Sequence, residues 1–183
     1  GFYPPNKIFI NLSFLDTLSP EDLQSGLGEM SHYFVVAGGN DFKEYKQDYD
    51  IALTDNKVLA KMISDSLIIK KSYIEIDEFD QKERQVFNYG HSFGHAIESL
   101  TNYAVPHGIA VSFGMDMANF ISVKKKYITM QIRYEIRELL EKIWSGYDLK
   151  DIDVEKFTLA LSKDKKNVGD ELRLILCKGY GKV

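Results

Sequence analysis

The sequence predicts a mainly α-helical domain with a few short β-strands. Several segments carry apolar residues at the three- and four-residue spacing of a helix. Strand-like runs of β-branched and aromatic residues occur only near the two ends. With 183 residues, of which 44% are hydrophobic, the chain is long enough for a single domain with its own core, and we assign residues 1–183 to it.

The N-terminal region contains one predicted strand and one helix with a clear start. Lys7 to Leu12 is rich in β-branched and aromatic residues and follows a pair of prolines, as expected of a strand. Ser19 and Pro20 then supply a capping hydroxyl and a proline at the first helical position, and two acids follow. We expect this helix to end near Gly38 and Gly39.

The remaining elements follow from the same periodicity. A second helix is predicted to start after Thr54-Asp55 and to run through the apolar residues Val58, Met62, Leu67, Ile69 and Tyr73. The further predictions are helices from about Lys82 to Leu100, from near His107, over Thr129 to Ser145 and over Val154 to Leu161, and a closing strand over Leu172 to Cys177.

Composition narrows the class of protein. The chain has 23 basic and 27 acidic side chains, so nucleic acid is not an expected partner. No apolar run is long enough to cross a bilayer, so no membrane association is expected. The single cysteine, Cys177, cannot form an internal disulfide, which fits a reducing cytoplasm.

Three residues are candidate metal ligands: Glu29, His91 and His107. The chain has only four histidines, and all of them lie in or beside this group. Imidazole and carboxylate are suitable ligands for zinc, and three protein ligands leave a fourth position for substrate or water. The composition of the group therefore favours a catalytic metal site over a closed structural one.

Helical spacing alone nominates a different pair. His91 and His95 are four residues apart and lie on one helical face, with Glu98 a further turn along, so both histidines could reach one ion. The small residues around them permit close helix packing. The alternative is that these are core helices with hydrogen-bonded histidines, and the spacing does not decide between the two.

The chain resembles the 3-dehydroquinate synthase and wider sugar-phosphate cyclase family. The resemblance is most specific in the run G-H-S-F-G-H-A-I-E, and further blocks occur in the family's order. In that family the metal is zinc, and the resemblance implies Glu29, His91 and His107 as its ligands here, with Co²⁺ or another divalent ion as an alternative. It assigns His95 to the substrate phosphate instead. The matching blocks are Phe14 to Glu29, Ile69 to Glu98, Pro106 to Met115 and Asp164 to Leu176.

The resemblance also implies substrate contacts. Lys70 and Arg84 match the family's cations for the substrate carboxylate, and guanidinium and ammonium groups suit that role. Asn88 and Lys166 join His95 as matches to its phosphate contacts. Lys70, Arg84 and Lys166 could instead be solvated surface charges.

The resemblance implies an enzyme with two cofactors acting on a sugar phosphate. The family oxidises a secondary alcohol transiently with NAD⁺, eliminates phosphate, and closes a carbocycle, as part of the shikimate pathway that leads to aromatic amino acids. No strand followed by a glycine-rich dinucleotide loop occurs in this sequence. We therefore expect the chain to be the C-terminal half of a cytoplasmic, homodimeric, two-domain lyase, inactive without an N-terminal NAD-binding α/β domain.

Two departures from the family pattern leave the substrate open. A lysine that contacts substrate in the family is replaced by His32, a smaller group that is largely neutral at pH 7. We expect His32 to contact the substrate in its place. Ile109 stands where the family commonly has glutamate. The alternatives are a related cyclase with a different substrate, a metal-dependent hydrolase that uses the same ligands without NAD, and a noncatalytic metal-binding domain.

Overall fold

Seven α-helices form most of the described structure, a computed structural model that covers residue 3, residues 5–163 and residues 172–183. Two 3₁₀ helices, Leu12–Thr17 and Glu83–Asn88, precede α1 and α4 respectively. The predicted mainly helical class is confirmed. The α-helices are α1 (Pro20–Ala37), α2 (Gly39–Ala52), α3 (Asn56–Ile76), α4 (His91–Leu100), α5 (His107–Lys124), α6 (Met130–Ile143) and α7 (Val154–Ser162).

The helix starts follow the capping signals in the sequence. The Ser19 hydroxyl accepts a hydrogen bond from the Asp22 amide at 3.0 Å, and proline occupies the first helical position of α1. Asp55 caps α3 by accepting from the amide of Lys57 at 2.8 Å. These bonds satisfy amide groups that have no partner inside the helix, so the predicted starts of both helices are confirmed.

The single helix predicted from Lys82 to Leu100 is wrong. The chain instead forms the 3₁₀ helix Glu83–Asn88, turns at Gly90 and only then enters α4. Gly90 has a φ of 81°, and a Cβ there would lie 2.7 Å from the Val111 carbonyl oxygen. The turn therefore requires glycine, because it presses the backbone directly against α5.

The two predicted strands are also wrong, and one helix was not predicted. Residues 7–11 and 172–178 have no regular structure, and the described residues contain only an isolated antiparallel bridge between Gly179 and Lys182. A strand needs a neighbour to pair with, and neither segment has one in the described structure. Helix α1 ends near Gly38 as predicted, and helix α2, which was not predicted, follows directly.

Helix α5 lies at the centre and packs against α1, α4 and α6. It is apolar on almost every side, which is typical of a helix surrounded by others. Its buried residues include Ile109, Val111 and Met115, which join Leu27 of α1 and Ile97 of α4 in one core. None of the described helices combines the length and apolar character needed to cross a bilayer.

Glycines set the close approach of α1 and α4 to α5. A Cβ on Gly108 would lie 1.8 Å from the backbone oxygen of Ser25, and one on Gly114 would lie 2.0 Å from that of Gly90. Any larger residue would push the helices apart. Each candidate metal ligand is adjacent in sequence to a glycine at these contacts: Gly28 precedes Glu29, Gly90 precedes His91 and Gly108 follows His107.

Candidate metal centre

Glu29, His91 and His107 meet where α1, α4 and α5 converge. One ligand atom from each lies within 4.8 Å of the other two. The Glu29 Oε2 atom is 3.6 Å from His91 Nε2 and 3.3 Å from His107 Nε2. All three side chains are half-buried. The three residues nominated from the sequence are therefore close enough to bind one ion.

The Glu29 carboxylate supports a metal-binding interpretation. Its Oε2 atom is buried and makes no hydrogen bond within the described structure, although two imidazole nitrogens stand close to it. A buried carboxylate oxygen that makes no hydrogen bond is costly. A divalent cation would satisfy that oxygen and the two nitrogens together, and one carboxylate with two imidazoles suits zinc or cobalt.

His91 has the orientation that a metal ligand needs. Its Nδ1 atom is 3.2 Å from the backbone carbonyl oxygen of Tyr89. Because a carbonyl oxygen can only accept, this contact places the proton on Nδ1 and leaves the lone pair of Nε2 facing Glu29. The acceptor lies two residues before His91, so the turn at Gly90 also fixes the tautomer of the ring.

The charges of Glu29 and His107 depend on each other. Burial raises the pKa of Glu29, but the close approach of the His107 and His91 rings outweighs it, so the pKa lies well below its usual range. The contact with Glu29 raises the pKa of His107, burial opposes that rise, and the contact with Glu98 adds to it. The resulting pKa of His107 is about 9. A metal ion that binds His107 would therefore compete with a proton that Glu29 and Glu98 stabilise on the ring.

His32 lies behind the ligands and not on an open surface. Its side chain is 1% exposed, and neither ring nitrogen has a hydrogen-bond partner in the described residues. The ring packs 4.0 Å from Tyr33 and 5.1 Å from His91, measured between ring centroids. Burial lowers the pKa of His32 to about 3, so the ring is neutral. Its predicted substrate contact stays a prediction and would require neighbouring groups to move.

His95 is exposed one turn after His91 on α4. Its ring centroid lies 5.6 Å from that of His91 and 5.8 Å from that of His107. It also forms a second group of ligand atoms within 4.8 Å, with Glu98 and His107. The exposed His95 ring therefore lies beside two of the three candidate ligands, and its contact with a substrate phosphate stays a prediction.

The predicted substrate cations lie on the segments beside the ligands. Lys70 is half-buried on α3, with its ammonium 5.5 Å from the centroid of the Tyr33 ring. The Arg84 guanidinium donates to the backbone oxygen of Glu78 at 2.7 Å. Asn88 is half-buried at the end of the second 3₁₀ helix. Lys166, the remaining predicted phosphate contact, lies outside the described residues.

Sequence reasoning did not predict the role of Asp77 in shaping the segment that carries Arg84. Its carboxylate accepts hydrogen bonds from the backbone amides of Gln81, Lys82 and Arg84 at 3.0, 2.7 and 3.1 Å. These bonds lower the pKa of Asp77. An aspartate followed by a polar loop was the only signal in the sequence, and it does not show which amides the carboxylate would bind.

Comparison with known proteins identifies the family of the chain. Residues 26–167 match the family described as 3-dehydroquinate synthase C-terminal. The chain belongs to this 3-dehydroquinate synthase family. Among curated relatives, it is 35% identical over its full length to the 3-dehydroquinate synthase of Dictyoglomus turgidum and covers 52% of that protein. It is 32% identical over 99% of its length to the bifunctional 3-dehydroquinate synthase/phosphatase of Fusobacterium nucleatum and covers 28% of it.

Solved structures share the same fold. A 2-deoxy-scyllo-inosose synthase superposes with a TM-score of 0.80 and 26% identity, over 98% of this chain and 49% of that one. A second 2-deoxy-scyllo-inosose synthase structure, complexed with carbaglucose-6-phosphate, NAD⁺ and Co²⁺, gives a TM-score of 0.82 at 24% identity, over 98% of this chain and 51% of that one. The chain thus spans about half the length of the Dictyoglomus turgidum enzyme and of these solved structures.

Proposed function

We propose that the chain is the metal- and substrate-binding half of a two-domain 3-dehydroquinate synthase. The complete enzyme would convert a carboxylated seven-carbon sugar phosphate, DAHP, into 3-dehydroquinate and phosphate, which makes it a carbon–oxygen lyase. A second domain would bind NAD⁺, and the chain without it would be inactive. The observation that supports this most is the convergence of Glu29, His91 and His107, with a buried carboxylate oxygen that makes no hydrogen bond in the described structure. The homodimer and the cytoplasmic location stay predictions.

The three ligands would hold Zn²⁺, or Co²⁺ in its place. The bound ion would supply Lewis acidity toward the substrate hydroxyl that is oxidised and the ketone that results. NAD⁺ would carry the hydride. The protein's own contribution is to hold Glu29 ionised and to keep the Nε2 lone pair of His91 directed at the same point.

The charged side chains around the ligands would orient the substrate. Lys70 and Arg84 would bind its carboxylate, for which the planar guanidinium can supply paired donors. Asn88, His95 and Lys166 would contact its phosphate. His95 is exposed beside two of the three ligands, so a phosphate bound there would lie next to the proposed metal centre.

A related cyclase with a different substrate is the second candidate, and His32 favours it. A neutral, buried imidazole replaces the lysine expected from the family, so the site has one fewer cation. The other departure has less consequence for the site, because Ile109 is fully buried in the core. Lys70 and Arg84 are retained, and these cations favour a carboxylated substrate.

The test is an assay of the complete enzyme with NAD⁺ and zinc, which measures phosphate release from DAHP and from a seven-carbon sugar phosphate without a carboxylate. We expect turnover of DAHP only. His91→Ala should lose the metal and at least about a hundredfold in rate, because the ion's charge stabilisation is worth several kcal/mol. His95→Ala is the matched control, which should keep the metal and raise KM. Retention of metal by His91→Ala, or hydrolysis without NAD⁺, would contradict the proposal.

A further inference from the structure

We infer that Glu98 is a positioning residue that holds His107 in the tautomer and orientation required of a metal ligand. Glu98 lies on α4 and His107 is the first residue of α5, so the contact joins two helices across the turn between them. The inference rests on the proposed metal centre and adds to it a residue that would not touch the ion.

The geometry of the contact assigns the proton on His107. Glu98 Oε2 lies 3.1 Å from His107 Nδ1, with hydrogen-bond geometry, and the Glu98 side chain is only 11% exposed. An ionised carboxylate can only accept, so Nδ1 carries the hydrogen and donates it. The lone pair of the neutral ring is then on Nε2, the nitrogen that lies 3.3 Å from Glu29 Oε2.

The two groups of ligand atoms that share His107 cannot both hold a metal through a neutral ring. In the group of His95, Glu98 and His107, the His107 nitrogen that faces Glu98 is Nδ1, so a metal ion there would need the Nδ1 lone pair. The proton of the neutral ring would then be on Nε2, and His107 could not bind an ion together with Glu29. The contacts favour the latter group. Nδ1 already has an acceptor in Glu98, whereas the oxygen facing Nε2 has no hydrogen bond in the described structure.

His91 and His107 are oriented by different kinds of acceptor. The His91 ring uses the backbone oxygen of Tyr89, which no side-chain substitution removes. His107 uses a carboxylate, which both fixes the ring and makes the imidazole a more basic ligand. Removing the Glu98 carboxylate should therefore affect one ligand of the centre and leave the other in place.

The first test is zinc affinity, measured by competition with a chromogenic chelator for the wild type, Glu98→Gln and Glu98→Ala. Loss of such an outer partner typically costs 10–100-fold in metal affinity, so we expect about tenfold for glutamine, whose carbonyl still accepts, and nearer a hundredfold for alanine. Glu75→Gln removes an exposed acid of α3 and is the charge control, with no expected change.

The second test reads the tautomer directly. In zinc-loaded protein labelled with ¹⁵N in histidine, long-range ¹H–¹⁵N spectra should show His107 protonated on Nδ1, and this single state should be lost in Glu98→Ala while that of His91 persists. A purely structural role would lower the unfolding temperature and leave affinity and tautomer unchanged, which would overturn the inference. If His91→Ala also keeps its metal, the proposed centre itself fails, and the inference fails with it.

Discussion

Replacing Gly108 with alanine tests whether close helix packing places the metal ligands. The added methyl group would lie 1.8 Å from the backbone oxygen of Ser25, whereas ordinary contact begins at 3.4 Å, so α1 and α5 must separate. Overpacking a core costs about 1–3 kcal/mol, and a clash with backbone belongs at the upper end. Alanine regains at most about 1 kcal/mol of helix propensity. We expect a net loss of about 2 kcal/mol in the free energy of unfolding.

The assay is thermal unfolding of the metal-free protein together with zinc affinity. For a chain of this length, about 2 kcal/mol lowers the midpoint by about 4–8 °C. Affinity should fall as well, because Glu29 moves with α1 and His107 with α5, whereas metal–ligand distances tolerate only about 0.2 Å. Gly26→Ala is the control on α1: nothing lies within 4 Å of its added methyl, so stability should rise by about 0.5–1 kcal/mol. Equal stability of the two variants would refute the reasoning.

Three further substitutions probe contacts away from the ligands. Asp116→Asn leaves two guanidinium groups of α6 without their shared carboxylate, so we expect a loss of about 3 kcal/mol in denaturant unfolding. Tyr45→Phe removes a buried donor to the carbonyl oxygen of Leu27 and should cost about 1 kcal/mol, measured the same way. The folded structure lowers the pKa of the Asp77 carboxyl. Its contribution to the free energy of unfolding is therefore fully present above the unfolded pKa of about 3.9 and is lost as the pH falls through the folded pKa. In Asp77→Asn, the free energy of unfolding should therefore change less with pH below about pH 4 than it does in the wild type. The same pH dependence in both proteins would contradict that account.

Local sequence signals predicted the helix ends that depend on side-chain caps and the elements with strong periodicity. Ser19 and Asp55 act as caps, and their helices begin as expected. Helix α2 was not predicted because the Gly38-Gly39 pair indicates a chain break, although Phe42, Tyr45 and Tyr49 recur at helical spacing and are buried. A glycine pair signals only that a helix can end, and here the next helix follows at once.

The candidate site required tertiary information that spacing does not contain. Helical geometry put His91, His95 and Glu98 on one face of α4, and this is correct, but it could not show that the chain returns as α5 with His107 beside them. The family resemblance supplied His107. Neither source indicated that Glu98 would meet its ring, because that contact depends on the turn between the two helices.

The adjacency of each candidate ligand to a packing glycine has a consequence for how a metal ion would enter. Glu29, His91 and His107 are held by backbone contacts that exist without the ion, so the site should be preorganised. Metal binding would then order few residues. Amide hydrogen exchange in α1, α4 and α5 should slow by a similar factor when the metal binds, because the whole fold is stabilised and no local segment folds on binding. A substitution at any of these glycines would therefore change the metal centre and the core packing together.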